Sequence, residues 1–167
     1  YTLGDFLMFS PQAYWRLVER HFLAWWPAQL AGVAGSLAVI ALMRCTEGRA
    51  HVIALALVGC AWLWTAWAFW WQQYAQIFTA APWFALAAAA QGGLLLVAAW
   101  VIGRLRERAA GESGRASPWR HRVGWVLCAV GAAYPLAALF AGQPATRAEV
   151  AGFMPDPTAW LTLGGLM

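Results

Sequence analysis

Four long stretches without a single charged residue constrain this chain more than any other feature of its sequence. They cover residues 22–43, 52–73, 82–103 and 123–141. A helix needs about 20 mostly apolar residues to cross the hydrocarbon core of a bilayer, which is roughly 30 Å thick. Each stretch has about that length, so the sequence predicts four complete transmembrane helices.

A fifth apolar segment, residues 158–167, is only half as long as a span. Its leucines and paired glycines are typical of the opening turns of a further transmembrane helix, with a re-entrant half-helix as the alternative. We therefore expect the natural protein to continue beyond Met167. The predicted fold class is all-α, a polytopic transmembrane helical bundle over residues 22–167 with four complete spans and the start of a fifth.

Residues 1–21 are predicted to form an interfacial amphipathic helix ahead of the bundle. One helical face, with spacings of three and four residues, combines Tyr14, Leu17, Val18 and His21. The neighbouring charged residues lie off that face. We expect this helix to rest on the membrane surface and the chain to turn into the bilayer at the boundary formed by Trp25-Trp26-Pro27. A surface anchor and a substrate-gating helix are the two roles considered.

The basic residues are all arginines, and their distribution predicts the orientation. Six of the 11 lie in residues 104–122, whose net charge of +4 equals that of the whole chain, and Arg44 and Arg49 flank the connection between the first two spans. Arginine accumulates in cytoplasmic loops. The sequence thus predicts a bacterial inner (cytoplasmic) membrane protein with a periplasmic N-terminus. The lipid bilayer and other membrane protein subunits are the predicted partners, and no nucleic acid is expected.

The lack of charged residues in the predicted spans argues against several classes of function. They contain no Asp, Glu, Lys or Arg, the buried ionisable groups on which proton relays and ion-coupled transporters depend. The three histidines stand near different span ends, and the three cysteines are dispersed without a CxxC pair. We therefore predict no catalytic residues, no metal site and no enzyme, and the cofactor is unknown.

Small residues and prolines predict how the helices pack. Gly32 and Ser36 in the first span, and Gly124 and Cys128 in the fourth, recur at i+4 spacing and would let helix backbones approach closely. Pro135 is expected to kink the fourth span, because a proline removes a backbone hydrogen bond from the helix.

Amide and indole side chains mark the candidate binding residues. A buried glutamine amide can bridge two helices or hold a carbonyl or quinone-like head group. Tryptophans on one face of the second span either fill space or line a cavity for a flat hydrophobic or cationic ligand. Asp156, between two prolines, is alternatively a cap of the helix that follows, a role that Thr158 could also fill. The predicted ligand- or partner-binding residues are Gln29, Gln72, Gln76, Asp156, Trp64, Trp67, Trp71 and Gln91.

Several short motifs, in the same order, resemble a family of bacterial multi-span membrane proteins known as domain of unknown function 6064. They are residues 1–11, 26–29, 81–84, 134–135 and 155–158. The chain departs from the family pattern at His21-Phe22, where Tyr-Asn is typical. The resemblance implies further hydrophobic spans beyond this segment, and it implies no activity.

Three functional hypotheses follow. The first is a non-catalytic integral membrane protein that acts as an accessory subunit of a larger complex or binds a small hydrophobic partner. The alternative is a small-solute permease or channel whose periplasmic mouth is formed by Gln29, Gln72 and Asp156. The third, a membrane enzyme acting on lipid or quinone, would need an acid or a metal ligand at membrane depth, which the four spans do not supply.

Overall fold

The described part of the chain is all-helical. The computed structural model describes residues 11–45, 48–108 and 118–167, and the predicted elements within residues 1–10 and 109–117 lie outside them. Six α-helices follow one another: α1 (Pro11–Trp25), α2 (Gln29–Arg44), α3 (Gly48–Thr65), α4 (Ala81–Arg108), α5 (Pro118–Phe140) and α6 (Pro155–Gly165). A π-helical segment, Ala66–Trp71, extends α3, and 3₁₀ turns occur at Tyr74–Gln76 and Ala145–Arg147. These described ranges contain no β-strand, only an isolated bridge between Ala151 and Met154.

Three helices within these described residues are long and apolar enough to cross a membrane. They cover Gly48–Gln76, Ala81–Leu105 and Arg122–Phe140, and they correspond to the second, third and fourth predicted spans. Hydrophobic side chains on them are largely exposed, as expected of helices whose solvent is lipid. The composition of each stretch was sufficient to predict these helices, because continuous apolar length is what a span requires.

The prediction of four complete spans is wrong for the first one. Residues 22–43 do not form a single helix, because α1 continues to Trp25 and the chain bends by 90° before α2 begins at Gln29. The 16 residues of α2 reach only about 24 Å at 1.5 Å per residue. Only the bent pair of α1 and α2 together satisfies the length of a span, so the described residues contain three helices long and apolar enough to cross a membrane, or four if the pair counts as one.

The amphipathic face predicted for α1 is buried against protein. Leu17 and Val18 pack with Phe69 of the π-helical segment and with Met154 before α6. His21 is also buried, and Tyr14 is partly so. The face therefore contacts the loop before α6 and the end of α3, and the helix ends at Trp25 instead of residue 21. Its location at a membrane surface stays a prediction.

Glycines set the closest helix contacts in the bundle. A Cβ atom built on Gly92 of α4 would lie 2.8 Å from the carbonyl oxygen of Gly59 on α3, and one on Gly59 would lie 3.0 Å from the oxygen of Gly92. At α5, a Cβ on Gly124 would lie 2.8 Å from the oxygen of Gly164 on α6. Gly32 similarly faces Ala151 at 2.7 Å. The predicted small-residue ridges of α2 and α5 are thus confirmed as packing surfaces.

The last apolar segment forms the short helix α6, which packs along α5 and α3. Its buried residues include Pro157, Leu161 and Gly164. With 11 residues it is about 16 Å long, half of the hydrocarbon thickness. Whether it opens a fifth span stays a prediction. Pro135 lies inside α5, which continues through it to Phe140.

Candidate functional site

An apolar cavity of about 450 Å³ lies between α2, α3 and the segment 151–161. Its walls are mostly small residues, and Gly35 of α2 has no atom within 4 Å of the position of a Cβ. Exposed lining residues, among them Ala31, Leu57 and Cys60, mark its open side between α2 and α3. Its volume falls within the range of about 300–1,000 Å³ that is typical of small-molecule sites.

One end of the cavity is closed by an aromatic cluster, which consists of Trp25, Trp64, Trp67 and Phe153. The ring centroids of Trp25 and Trp64 are 4.9 Å apart in an edge-to-face arrangement, and Trp64 lies 5.9 Å from Phe153. Trp67 contacts both other indoles at 5.3–5.4 Å. Trp64 and Phe153 line the cavity itself. The predicted tryptophan face of the second span therefore does border a cavity at Trp64.

Most polar side chains at the cavity wall are already satisfied. The Ser36 hydroxyl donates to the Gly32 carbonyl oxygen at 2.9 Å. The Thr158 hydroxyl donates to the Met154 carbonyl oxygen at 2.6 Å and accepts from the Gly152 amide at 2.7 Å. These local bonds use the hydrogen of each hydroxyl, so neither can donate to a ligand. The bonds of Thr158 fasten the turn that precedes α6.

Buried polar atoms without a hydrogen-bond partner among the described residues concentrate at the aromatic end. They are the indole nitrogens of Trp25 and Trp64, the side-chain oxygen of Gln29 and both ring nitrogens of His21. Gln29 is 3% exposed, and its amide nitrogen donates to the Phe22 carbonyl oxygen at 2.7 Å. Buried polar groups are nearly always paired, so such a concentration calls for an explanation.

His21 is enclosed by aromatic rings at this end. It is 1% exposed and lies edge-on to Phe69, with ring centroids 5.6 Å apart. Burial lowers the pKa of the imidazole from its ordinary 6.5 to about 4, and the backbone of Phe153 acts weakly in the opposite direction. The side chain is therefore neutral at physiological pH.

Charged residues instead hold α1 to the loop between α5 and α6. Arg147 donates to the Glu19 carboxylate at 2.7 Å and to the Gln143 side-chain oxygen at 2.6 Å. The Tyr14 hydroxyl donates to the Glu149 carboxylate at 2.9 Å. Burial raises the pKa of Glu149, the hydrogen bond from Tyr14 lowers it, and nearby Asp156 raises it. These electrostatic contacts hold the two segments together and do not outline a substrate site.

The stability that these contacts contribute can be measured at the Glu19–Arg147 ion pair. We expect a double-mutant cycle with Glu19→Gln and Arg147→Gln to give a coupling of about 0.5–1 kcal/mol, because each partner is about 30% exposed. Thermal unfolding in detergent measures the coupling, which should shrink in high salt. Arg20→Gln is the control, since exposed Arg20 forms no ion pair with any described residue. A coupling of zero at low salt would contradict the prediction.

The three residues of the predicted permease mouth differ in burial, and their assembly into a mouth stays a prediction. Gln29 is buried, whereas Gln72 and Asp156 are exposed, and no hydrogen bond joins the three within the described ranges. Gln76 is also exposed and donates to the Gln72 backbone oxygen at 2.7 Å. Asp156 lies in the first turn of α6, where the helix dipole favours a carboxylate, but it makes no capping hydrogen bond. Its predicted role as cap is therefore wrong.

Two other candidate residues lie apart from the cavity. Gln91 is partly buried on α4 and does not line it. Trp71 is 53% exposed at the end of the π-helical segment. A π-helix has more residues per turn than an α-helix, so the tryptophan alignment that a period of 3.6 predicts is lost beyond Thr65. Trp64 and Trp67 remain neighbours.

No group of three or more His, Cys, Asp or Glu side chains suited to a metal ion occurs in the described part of the chain. The buried thiol of Cys128 contacts the Met43 sulfur at 3.3 Å, in the core between α2 and α5.

Comparison with known proteins gives one match. The model of a family of unknown function, DUF6064, matches residues 11–167. The chain belongs to this family. No curated protein and no solved structure shows significant similarity to it. Membership of DUF6064 thus confirms the resemblance seen in the sequence motifs and brings no activity, ligand or partner with it.

Sequence reasoning missed several residues that shape the site in this DUF6064 chain. Trp25 and Phe153 complete the aromatic cluster, and Trp62 donates to the Thr162 hydroxyl at 2.7 Å, fixing α3 against α6. Trp25 was interpreted only as part of a membrane boundary. Phe153 lies in a loop, where no periodicity signals a buried ring.

Proposed function

We propose that this DUF6064 protein is a non-catalytic integral membrane protein that binds a small hydrophobic molecule in the cavity between α2, α3 and α6. The observation that carries the proposal is the cavity itself. It holds about 450 Å³, its walls are almost entirely apolar, and the pocket is open between two helices. Apolar ligand sites between helices of bundles have this character.

The surroundings of the cavity support entry from the membrane. Leu57 and Leu37, on the two helices that flank the opening, are exposed hydrophobic side chains. α3 is also one of the three helices long enough to span a bilayer. A hydrophobic molecule dissolved in lipid would reach the cavity laterally, without crossing water. We place the arginine-rich helix ends in the cytoplasm by the positive-inside rule.

Filling the cavity tests the proposal. Gly35→Leu projects a side chain into open space inside it, whereas Gly93→Leu projects one into open space on α4 outside it. Both replacements introduce the same side chain in a helix. We expect hydrophobic molecules that co-purify with the wild-type protein in mild detergent to be lost from Gly35→Leu, at least fivefold, and retained by Gly93→Leu. Mass spectrometry of organic extracts measures them.

The same preparation separates the alternatives. Wild-type protein carrying only bulk lipid, in the same amounts as the Gly35→Leu variant, would overturn ligand binding. Other proteins that co-purify in stoichiometric amounts, both with the wild type and with the cavity variant, would indicate the accessory-subunit role. The permease hypothesis receives no support from the positions of Gln29, Gln72 and Asp156.

A further inference from the structure

A second concave feature, an open groove of about 360 Å³, lies between α3 and α4. None of the residues that line it also lines the apolar cavity. Small residues shape the groove, namely Ala56 on α3 with Ala99 and Gly103 on α4, and the Trp100 ring and the exposed Arg104 side chain border it. Both helices are long and apolar enough to span a membrane. In a bilayer the groove therefore faces lipid, and a hydrocarbon chain can occupy it.

Two arginines lie at one end of this groove. A Cβ atom built on Gly103 would lie 3.7 Å from Cγ1 of Val52, which sets α4 against α3 at this level. Arg104 directly follows Gly103, and Arg49 precedes Val52 by three residues, about 4.5 Å along α3. Both arginines are thus close to the level at which α3 begins and the apolar span Ala81–Leu105 ends. This is the depth of the lipid head groups if the two helices cross a bilayer.

The charge at this end of the bundle favours an anion. Residues 44–51 carry a net charge of +1 and residues 104–122 carry +4, with every carboxylate of these segments included. Arg104 forms no ion pair with any described residue, and its Cζ lies 5.7 Å from the centroid of the Trp100 ring. A cation–π contact of this kind positions the guanidinium beside the groove. Its five N–H donors can still bind an anion.

The occupant must combine a hydrocarbon chain with a negative charge. Arginine and tryptophan at the end of a span reach head-group depth, because the arginine stem covers apolar surface while its charge extends to the interface. A guanidinium binds a phosphate through two parallel hydrogen bonds. A phospholipid with a net negative charge supplies both parts. A zwitterionic phospholipid carries its own cation next to the phosphate and gains less, and free phosphate has no chain for the groove.

We propose that the groove between α3 and α4 binds an anionic phospholipid, with one acyl chain beside Ala56, Ala99 and Gly103 and the phosphate on Arg104. Arg49 adds a second positive charge at the same level. The site is separate from the apolar cavity. It rests on the proposed function only in requiring that the protein is integral to a membrane.

The first experiment measures lipid binding to the unmodified full chain. Native mass spectrometry from a neutral detergent follows titration with dioleoylphosphatidylglycerol and with dioleoylphosphatidylcholine, which has the same chains and a zwitterionic head group. We expect the anionic lipid to bind about fivefold more tightly, the effect of one arginine at a membrane surface. Excess inorganic phosphate at constant ionic strength should not displace it, because the chain contributes to binding.

The second experiment changes the two parts of the site separately. Arg104→Gln should bind both lipids equally, whereas Arg122→Gln should keep the preference, because Arg122 is exposed on α5 and does not line the groove. Both replacements remove the same charge. Ala56→Leu places a larger side chain in the groove and should weaken both lipids by a similar factor. Its control is Ala90→Leu, at an exposed position of α4 outside the groove.

Three results would overturn the proposal. The first is equal affinity of the wild-type protein for the two lipids, and the second is displacement of the anionic lipid by free phosphate. The third is an equal loss of preference in Arg104→Gln and Arg122→Gln, since the lipid would then be attracted by the charge of the whole helix end. Gly35→Leu should keep the lipid preference, because Gly35 lines the other cavity. The loss of hydrophobic molecules from Gly35→Leu therefore tests the proposed function independently of the groove.

Discussion

Replacing Gly92 by alanine should destabilise the bundle by about 2 kcal/mol, whereas the same replacement at the adjacent Gly93 should stabilise it slightly. A Cβ on Gly92 would lie 2.8 Å from the Gly59 carbonyl oxygen and 3.0 Å from Leu63, so α3 and α4 must separate. Overpacking of this kind costs about 1–3 kcal/mol. Gly93 has open space at its Cβ, and alanine there gains about 0.5–1 kcal/mol of helix propensity.

Thermal unfolding in detergent, followed by circular dichroism, measures the two variants side by side. Because the residues are adjacent on one helix, their helix-propensity effects are closely matched, and the difference between their melting temperatures reports mainly the helix contact. We expect Gly92→Ala to melt at least several degrees below Gly93→Ala. Equal melting temperatures would mean that α3 and α4 do not meet at Gly59 and Gly92.

Lowering the pH from 7.5 to 4 should destabilise the wild-type protein through His21, by at most about 3 kcal/mol. The pKa of this buried imidazole is lowered from 6.5 to about 4. The unfolded chain therefore takes up a proton below pH 6.5, while the folded chain resists it until about pH 4. The free energy of unfolding is therefore unaffected by His21 above pH 6.5, and it decreases progressively as the pH falls from 6.5 to about 4.

His21→Phe supplies the reference, because it keeps an aromatic ring against Phe69 and Phe153 and removes the titration. Glu149, whose pKa is raised by burial, acts in the opposite direction over part of the same window, but it is present in both proteins. The difference in melting temperature between wild type and His21→Phe is thus the quantity to measure. A difference that stays constant from pH 7.5 to pH 4 would show that His21 is not held neutral.

The spanning helices could be read from the sequence, but the helix that begins the bundle could not. Residues 52–73, 82–103 and 123–141 were predicted within a few residues, because lipid demands continuous apolar length. Residues 22–43 satisfy the same criterion and nevertheless contain a 90° bend. Hydropathy records the composition of a segment and carries no information on its direction, so the bend at residues 26–28 was predicted only as a turn into the membrane.

Some residues of the candidate site could likewise be predicted from the sequence, whereas their grouping could not. Gln29 and Trp64 were predicted because a buried amide and a deep tryptophan are unusual in a span. The sequence also grouped Gln29 with Gln72 and Asp156, since all three fall near the same ends of their helices. In the structure Gln29 is buried and the other two are exposed, and their grouping into one site stays a prediction. Sharing a membrane level is a property of one dimension, whereas forming a site requires convergence in three.

The sequence by itself determined that this chain is helical, that three or more of its stretches are apolar enough to span a bilayer, and that residues 52–73, 82–103 and 123–141 contain no Asp, Glu, Lys or Arg. These properties follow from composition and length along one segment at a time. Only the tertiary structure decided which polar groups are paired. Tyr14 reaches Glu149 across 135 residues, and Trp62 reaches Thr162 across 100, whereas the indole nitrogen of Trp64 and the side-chain oxygen of Gln29 have no partner among the described residues. Hydrogen bonds between distant residues depend on how the helices pack, and no local pattern encodes that packing.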